Sequence, residues 1–148
     1  MYVAALAIDA DETAASAVSA EAEAEGVEHP KPGLGDVMQF HDDGTCTLAP
    51  ADVGALLYNT CDVETQQWAA ERLCPQPMVT MAQSPRAVAW RERPSTYVVC
   101  EEDRGIPASL QRILARRCEY TVSLPTDHSP FAGRPDLLAP ILIDLATG

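Results

Sequence analysis

Two residues capable of acid–base chemistry follow two strand-like segments in the last third of the chain. Asp103 comes shortly after residues 96–100, a β-branched and aromatic run that is typical of a buried parallel strand. His128 comes shortly after a second strand-like run, residues 120–124. Residues 107–116 lie between the two runs, and apolar residues at helical spacing follow a proline that suits the first helical position. The pattern predicts a strand–helix–strand unit that brings Asp103 and His128 to one edge of a sheet.

An aspartate and a histidine at neighbouring strand ends can form the acid–base part of a Ser-His-Asp triad. The carboxyl edge of an open α/β sheet is where ligands gather. In such a triad His128 would act as the general base, and Asp103 would fix its tautomer and stabilise the imidazolium. Taken singly, each residue has a simpler explanation, because an aspartate after a strand commonly caps a helix or turn and a loop histidine is commonly solvated.

The residues around this pair resemble a known family. The matching segments are Tyr-Val-Val-Cys-Glu-Glu-Asp-Arg-Gly-Ile-Pro at 97–107, Leu-Gln-Arg at 110–112, Asp-His-Ser-Pro-Phe at 127–131 and Arg-Pro-Asp-Leu-Leu at 134–138. They are similar to the C-terminal half of the α/β-hydrolase family, in particular its methylesterase and hydroxynitrile-lyase-like branch of small esterases. The resemblance implies that Asp103 is the triad acid, that His128 is the triad histidine and that the substrate is a small-molecule carboxylic ester. Lyases of this branch typically have a lysine directly after the histidine, and Ser129 in that place favours a hydrolase.

The expected fold is α/β, the C-terminal part of an α/β-hydrolase domain with about three parallel strands, flanking helices and a mostly helical lid insertion. By the resemblance, residues 2–8 occupy the place of the sixth strand of an eight-stranded sheet, so that Met1 marks a truncated or misassigned start. The core then comprises residues 1–11 and 93–148. The lid comprises residues 12–92, and its N-terminal part is loop-rich or disordered. A sheet that starts with this strand has an exposed edge, through which we expect association.

The lid region contains several local patterns. Residues 12–25 are rich in Ala and Glu, which favours either a solvated helix or disorder, and residues 26–35 are loop-like because of their Pro and Gly content. Asp43-Gly44 predicts a hairpin, and residues 51–61 and 62–74 predict two short helices. Four residues are expected either to line an acyl pocket or, equally well, to pack in helix cores: Tyr58, Trp68, Met78 and Met81.

Two helices are expected to pack through apolar faces. In the second lid helix, Asp62 is the predicted N-cap, and Trp68, Leu73 and the nearby Ala residues supply the apolar face. The last helix opens near Pro135. Its apolar stripe, which we expect to pack on the sheet, comprises Leu138, Ile141, Leu142 and Leu145.

The chain has no nucleophile in the sequence context that this chemistry requires. An α/β-hydrolase serine lies in a Gly-x-Ser-x-Gly turn, and none of the seven serines has glycine on both sides at that spacing. Loss of one triad member leaves only residual catalysis. We therefore expect this chain by itself to have no substantial esterase activity. The alternative is a noncatalytic truncated remnant or an interaction protein.

Composition disfavours several other functions. The chain has 22 acidic and 10 basic residues and a net charge of −12, which disfavours binding to nucleic acid or to an anionic membrane. It has five cysteines without a Cys-x-x-Cys pair, so that a reducing cytoplasm is the default location. No run approaches the ~20 apolar residues of a membrane span, and no basic region suggests a secretory signal. No cofactor or metal is expected, since His41, Asp42, Asp43 and Cys46 lack recognised ligand spacing and lie at the predicted hairpin turn.

Overall fold

The computed structural model describes residues 1–18, 26 and 31–147. The strands are β1 (Tyr2–Val3), β2 (Met38–Phe40), β3 (Thr45–Leu48), β4 (Gln76–Pro77), β5 (Thr96–Cys100) and β6 (Tyr120–Leu124). The α-helices are α1 (Pro50–Leu57), α2 (Val63–Ala70), α3 (Ala89–Glu92), α4 (Ala108–Ala115), α5 (Pro130–Gly133) and α6 (Pro135–Thr147). Residues 14–18 are also helical, and Leu34–Val37 and Met78–Met81 form short 3₁₀ helices.

The main sheet has three parallel strands in the order β1-β5-β6. The central strand β5 pairs Val98 with Val3 on one side and with Val122 on the other. All five residues of β5 are buried, as expected for a strand with neighbours on both sides and helices over its faces. The predicted α/β class is confirmed, and the strands at 96–100 and 120–124 have the bounds that the sequence predicts.

Apolar side chains on both faces of β5 hold helices against the sheet. On one face, Val99 packs with Leu110 and Leu114 of α4. On the other face, Val98 packs with Leu138 of α6. Full burial of an aliphatic side chain of this size stabilises a fold by about 1.5–3 kcal/mol. This packing fixes β5 and therefore also the start of the loop that follows it.

The last helix packs on the sheet over a shorter length than predicted. Leu138 is buried, and Ile141 is partly buried against the same cluster. Leu142 and Leu145, which we expected in the packed stripe, are 41% and 48% exposed, and Ile143 is 60% exposed. The expectation was wrong for the second half of α6 because, in the described part of the chain, only the first turns of this helix pack against the three strands.

The region between β1 and β5 contains an antiparallel sheet in addition to helices. β2 and β3 form the hairpin predicted at Asp43-Gly44, where Gly44 has a φ of +79°. β4 adds Gln76–Pro77 to β3, a pairing that the sequence did not predict. α1 and α2 correspond to the two predicted helices but end earlier. Asp62 caps α2 as expected, since its side chain accepts a hydrogen bond from Thr65 N at 2.8 Å.

The two lid helices pack against each other through a small apolar cluster. Val53, Tyr58 and Ala69 form a buried cluster between them. Trp68 and Leu73, predicted on the apolar face of the second helix, are 50% and 42% exposed. The prediction was wrong for these two large residues but right for the nearby Ala residues, because Ala69 is buried in the cluster, whereas Leu73 lies beyond the end of α2.

Four further sequence-based expectations concern the core and lid boundaries, residues 12–25, a metal site and a membrane span. The division into a core of residues 1–11 and 93–148 and a lid of residues 12–92 stays a prediction. Half of the expected helix or disordered stretch at residues 12–25, namely residues 19–25, lies outside the described residues. Within the described ranges, no group of three or more His, Cys, Asp or Glu side chains is placed to hold a metal ion. No helix there has the length and apolar character needed to cross a membrane.

Arg117 joins the loop after β1 to the end of α4. Its Nη1 donates a hydrogen bond to the carbonyl of Ala7 at 2.8 Å, and its Nη2 donates to Glu12 Oε1 at 2.7 Å. The hydrogen bond from Arg117 lowers the pKa of Glu12 below its ordinary value of 4.5. The pair therefore stabilises the fold above the ordinary pKa, and this contribution is lost as the pH falls through the lowered value of the folded state.

We expect Glu12→Gln to lower the free energy of unfolding by about 1 kcal/mol near neutral pH. The side chains of Glu12 and Arg117 are only 26% and 14% exposed, so that the pair is partly shielded from water. The difference from the parent should shrink as the pH falls below the ordinary pKa of 4.5 and through the lowered pKa of the folded state, because the parental carboxylate then becomes protonated as well. Urea denaturation at neutral and at acidic pH measures both values.

Glu71→Gln is the matched control for this experiment. Glu71 and Arg72 form an exposed pair at 3.6 Å, and its loss should change the free energy of unfolding very little. If the difference in unfolding free energy between Glu12→Gln and the parent stays constant as the pH is lowered, the ion pair does not make the stability depend on pH in the expected way.

Candidate active site

Asp103 lies in the loop after β5, and its carboxylate is buried among hydrogen-bond donors. Oδ1 accepts from the backbone N–H groups of Gly105 at 2.8 Å and Ile106 at 2.9 Å. Oδ2 accepts from Gln111 Nε2 at 2.7 Å. The side chain is 0% exposed. Because the loop backbone and a helix residue hold both oxygens, the carboxylate has one orientation.

His128 lies in the loop after β6 and makes the fourth contact to that carboxylate. Its Nδ1 is 2.8 Å from Asp103 Oδ2. A carboxylate only accepts, so Nδ1 carries the proton, and a neutral imidazole then has its free lone pair on Nε2. The His128 side chain is 26% exposed, whereas that of Asp103 is fully buried. The structure thus brings together the two residues that the sequence singled out, with one ring nitrogen fixed and the ring partly open to solvent.

Gln111 is a member of this site to which the sequence analysis gave no role. It lies on α4 and is fully buried. Its Oε1 accepts from Cys100 N at 2.9 Å, and its Nε2 donates to Ile106 O at 2.6 Å as well as to Asp103. A buried amide with donors and acceptors all paired joins β5, the loop and α4 at one point. One feature of the sequence could have pointed to this role: Gln111 directly follows Leu110, on the face of the helix that was predicted to be apolar.

A cavity of about 640 Å³ lies between the lid region and the main sheet, and His128 is in its wall. Six of the apolar residues that line it are Leu6, Met38, Leu48, Leu57, Met81 and Ile106. No Asp, Glu, Lys or Arg is among its described lining residues. A second cavity of about 400 Å³ shares Leu6, Leu34, Met38, Met81 and Ile106 with the first. An apolar cavity of this size with one imidazole in its wall suits an uncharged organic ligand.

Of the four residues that were expected to line an acyl pocket, Met81 lines this cavity. Tyr58 is instead buried in the lid cluster, which was the alternative explanation. Trp68 lines a separate, smaller surface depression, and Met78 is not part of the 640 Å³ cavity wall. Residue type alone did not distinguish a lining side chain from a packed or exposed one.

No nucleophile contacts His128 among the described residues. None of the described serine hydroxyls is hydrogen-bonded to the imidazole. Cys61 and Cys100 are also unsuitable, because burial raises the pKa of each thiol to about 11 and keeps the unreactive thiol form at neutral pH. The site therefore contains an oriented base and its carboxylate partner.

Comparison with known proteins identifies the family. The model of the alpha/beta hydrolase family matches residues 2–141. The alpha/beta hydrolase nvfD of Aspergillus novofumigatus is 33% identical over 115 residues, which are 75% of this chain and 46% of that protein. The chain thus spans about half the length of the curated relative that it matches.

Solved structures show the same fold. A pyrethroid hydrolase from Sphingobium faniae JZ-2 superposes with a TM-score of 0.74 at 21% identity, over 98% of this chain and 59% of that one. A polyneuridine aldehyde esterase superposes with a TM-score of 0.71 at 15% identity, over 97% of this chain and 60% of that one. A methylesterase from Arabidopsis superposes with a TM-score of 0.64 at 18% identity, over 75% of this chain and 52% of that one. Together with the match to the family model, this confirms the predicted family: the chain belongs to the alpha/beta hydrolase family.

Proposed function

We propose that this chain provides the acid–base pair and part of the substrate cavity of a carboxylic-ester hydrolase of the methylesterase-like branch. The observation that carries the proposal is the 2.8 Å contact between His128 Nδ1 and Asp103 Oδ2 at the wall of an apolar cavity. Structural neighbours named as a pyrethroid hydrolase, an esterase and a methylesterase support the same reaction class.

In the proposed reaction His128 moves one proton in each direction. With Nδ1–H bound to Asp103, Nε2 accepts the proton of a serine hydroxyl as the hydroxyl oxygen attacks the ester carbonyl. The same nitrogen then gives the proton to the leaving alcohol, and Asp103 stabilises the imidazolium in between. In the second half of the reaction, Nε2 takes a proton from water as the water oxygen attacks the acyl-serine, and it returns that proton to the serine oxygen as the acid is released. Since no serine here lies in the required turn, the proposal places the serine and its oxyanion donors outside these 148 residues.

The cavity favours an uncharged, largely apolar ester. Its described lining has no Asp, Glu, Lys or Arg, so an ionised ligand would lose its hydration without gaining a counter-charge. A medium-chain ester can instead bury its alkyl part against side chains such as Leu57 and Ile106. Its carbonyl end would lie towards His128.

We expect methyl octanoate to bind in this cavity at least roughly tenfold more tightly than the octanoate anion, because the carboxylate must give up its hydration. Chemical-shift titration of the His128 ring and the Met81 methyl group measures both affinities. Equal affinity for the ester and the anion would contradict the proposed substrate class.

A pair of lysine variants tests whether the ester binds at this place. Met81→Lys puts a charge into the cavity wall and should weaken ester binding. Val79→Lys is the matched control, since Val79 lies on the same 3₁₀ helix and is 59% exposed. If both variants bind the ester like the parent, the ligand site lies elsewhere.

We expect no saturable, His128-dependent hydrolysis of a short p-nitrophenyl ester by this chain, because a base without a nucleophile forms no acyl-enzyme. Absorbance assays of the parent and of His128→Ala measure the rate, and intact mass after treatment with a serine-directed phosphonate detects an adduct. An adduct, or saturable turnover that His128→Ala abolishes, would show that the nucleophile is within the chain after all.

Gln111 is proposed to position Asp103 for this role. Gln111→Leu keeps the approximate volume but leaves the N–H of Cys100 and the carbonyl of Ile106 unpaired and removes a donor to the carboxylate. We expect the free energy of unfolding to fall by about 3 kcal/mol. Urea denaturation measures the loss, and Gln67→Leu on the exposed face of α2 is the control. If Gln111→Leu and Gln67→Leu lose the same free energy of unfolding, the buried hydrogen bonds of Gln111 do not contribute to stability.

The alternative function is a noncatalytic interaction protein. Its support is that the outer edge of β1 has no pairing strand in the part of the chain that the structure describes. Leu142, Ile143 and Leu145 on α6 are exposed as well. Unpaired strand edges and apolar surface both favour association. A chain that binds no ester but forms a defined complex through this edge in sedimentation velocity would favour this alternative over the hydrolase.

A further inference from the structure

Asn59 and Thr60, here called the lid corner, lie between α1 and α2 and contact both loops that carry the acid–base pair. Asn59 Nδ2 donates to the carbonyl oxygen of Glu102 at 3.0 Å, and Glu102 directly precedes Asp103. Glu102 N in turn donates to Thr126 O at 2.9 Å, in the loop after β6. The lid corner is therefore bonded to a residue at which the two loops already meet.

The second contact of the lid corner ends on a buried carboxylate. Thr60 donates to Asp127 Oδ2 twice, from its backbone N at 2.9 Å and from Oγ1 at 2.8 Å. Asp127 is fully buried, and its Oδ1 accepts from Ser129 N at 2.9 Å. Asp127 and Ser129 flank His128 in the chain. One carboxylate thus holds the backbone around the histidine on one side and the lid corner on the other.

The neighbourhood of this carboxylate is closely packed. Cys61 Sγ lies 3.7 Å from Asp127 Oδ2, and burial together with that carboxylate raises the pKa of the thiol to about 11, so that the thiol remains a donor. A Cβ on Gly133 of α5 would lie 3.2 Å from both Cys61 Sγ and Thr60 Oγ1. The residue at this point of α5 is therefore a glycine, which leaves space for Cys61 and for the partly solvent-exposed Thr60.

We infer that Asn59, Thr60 and Asp127 are positioning residues that couple the lid to the acid–base pair, an inference that rests on the proposed function. Leu57, two residues before the lid corner, lines the cavity. The segment that helps to line the ligand site is therefore also hydrogen-bonded to both loops. Because its bonds end directly before Asp103 and directly before His128, a shift of the lid would move both loops together and preserve their mutual hydrogen bond.

The hydrogen-bonded Nδ1 proton of His128 is the readout of this coupling. In the ¹⁵N-histidine-labelled chain it should give a low-field ¹H resonance, whose exchange with water measures how well the pair is held. His41, on the exposed hairpin with Nε2 2.9 Å from Thr47 Oγ1, is an internal reference. If the parent shows no such resonance for His128, the proposed acid–base pair itself fails, whatever the lid corner does.

Three variants test the lid corner itself. Thr60→Val removes the hydroxyl donor and keeps the size, and we expect the exchange of the His128 proton to become roughly tenfold faster, the factor expected for one hydrogen bond to a charged acceptor. Thr60→Ser keeps the hydroxyl and should restore slow exchange. Asp127→Asn replaces one carboxylate oxygen with an NH₂ donor, so the side chain can no longer accept from Thr60 and from Ser129 N at the same time, and it should accelerate exchange at least as much.

Two controls separate positioning from general loss of stability. Val53→Ala opens a cavity in the buried lid cluster without touching either loop, and it should lower the melting temperature while leaving the His128 exchange rate unchanged. Asp136→Asn alters an exposed ion pair with Arg134 and should change neither the melting temperature nor the exchange rate of the His128 proton. The inference is overturned if Thr60→Val and Asp127→Asn leave the exchange rate of His128 as in the parent. It is also overturned if Val53→Ala accelerates exchange as much as they do.

Discussion

The buried carboxylate of Asp103 is the interaction on which the rest of the site depends. Removing a carboxylate from water costs on the order of several kcal/mol unless protein donors replace the water. Here the donors are the backbone of Gly105 and Ile106 and the side chains of Gln111 and His128. They come from the loop after β5, from α4 and from the loop after β6. Pairing this one group therefore requires three segments of the chain to be in place at the same time.

The parts of this arrangement that depend on local pattern could be predicted from the sequence. β5, β6 and α4 have apolar residues at the spacing of their secondary structure, and Asp103 and His128 follow strand ends. The role of Gln111 could not be predicted, because a polar helix residue is ordinarily exposed and its partners depend on the path of the loop. Asp127 is a similar case, since its bond to the lid spans 67 positions of the chain.

Apolar spacing by itself did not predict which large side chains are buried. Trp68 and Leu142 were placed on packed faces by their spacing, yet both are substantially exposed, since packing depends on which element lies opposite. The pairing of β4 gave no sequence signal because it has only two residues, one of them Pro77. A proline is compatible with an edge strand, where its missing N–H breaks no ladder bond, but it never indicates one.

The charge distribution bears on the proposed reaction in a way that composition alone did not suggest. The chain carries a net charge of −12, whereas the described cavity lining carries no Asp, Glu, Lys or Arg. An ester enters such a cavity as a neutral molecule, but its acid product is an anion near neutral pH. The product would find no Lys or Arg in the described wall of the 640 Å³ cavity, whereas Lys31 and Asp36 line the adjoining one, and the negative net charge of the chain favours its departure. Under this reaction, the acidic surface acts on product release, and the apolar wall determines which ester binds.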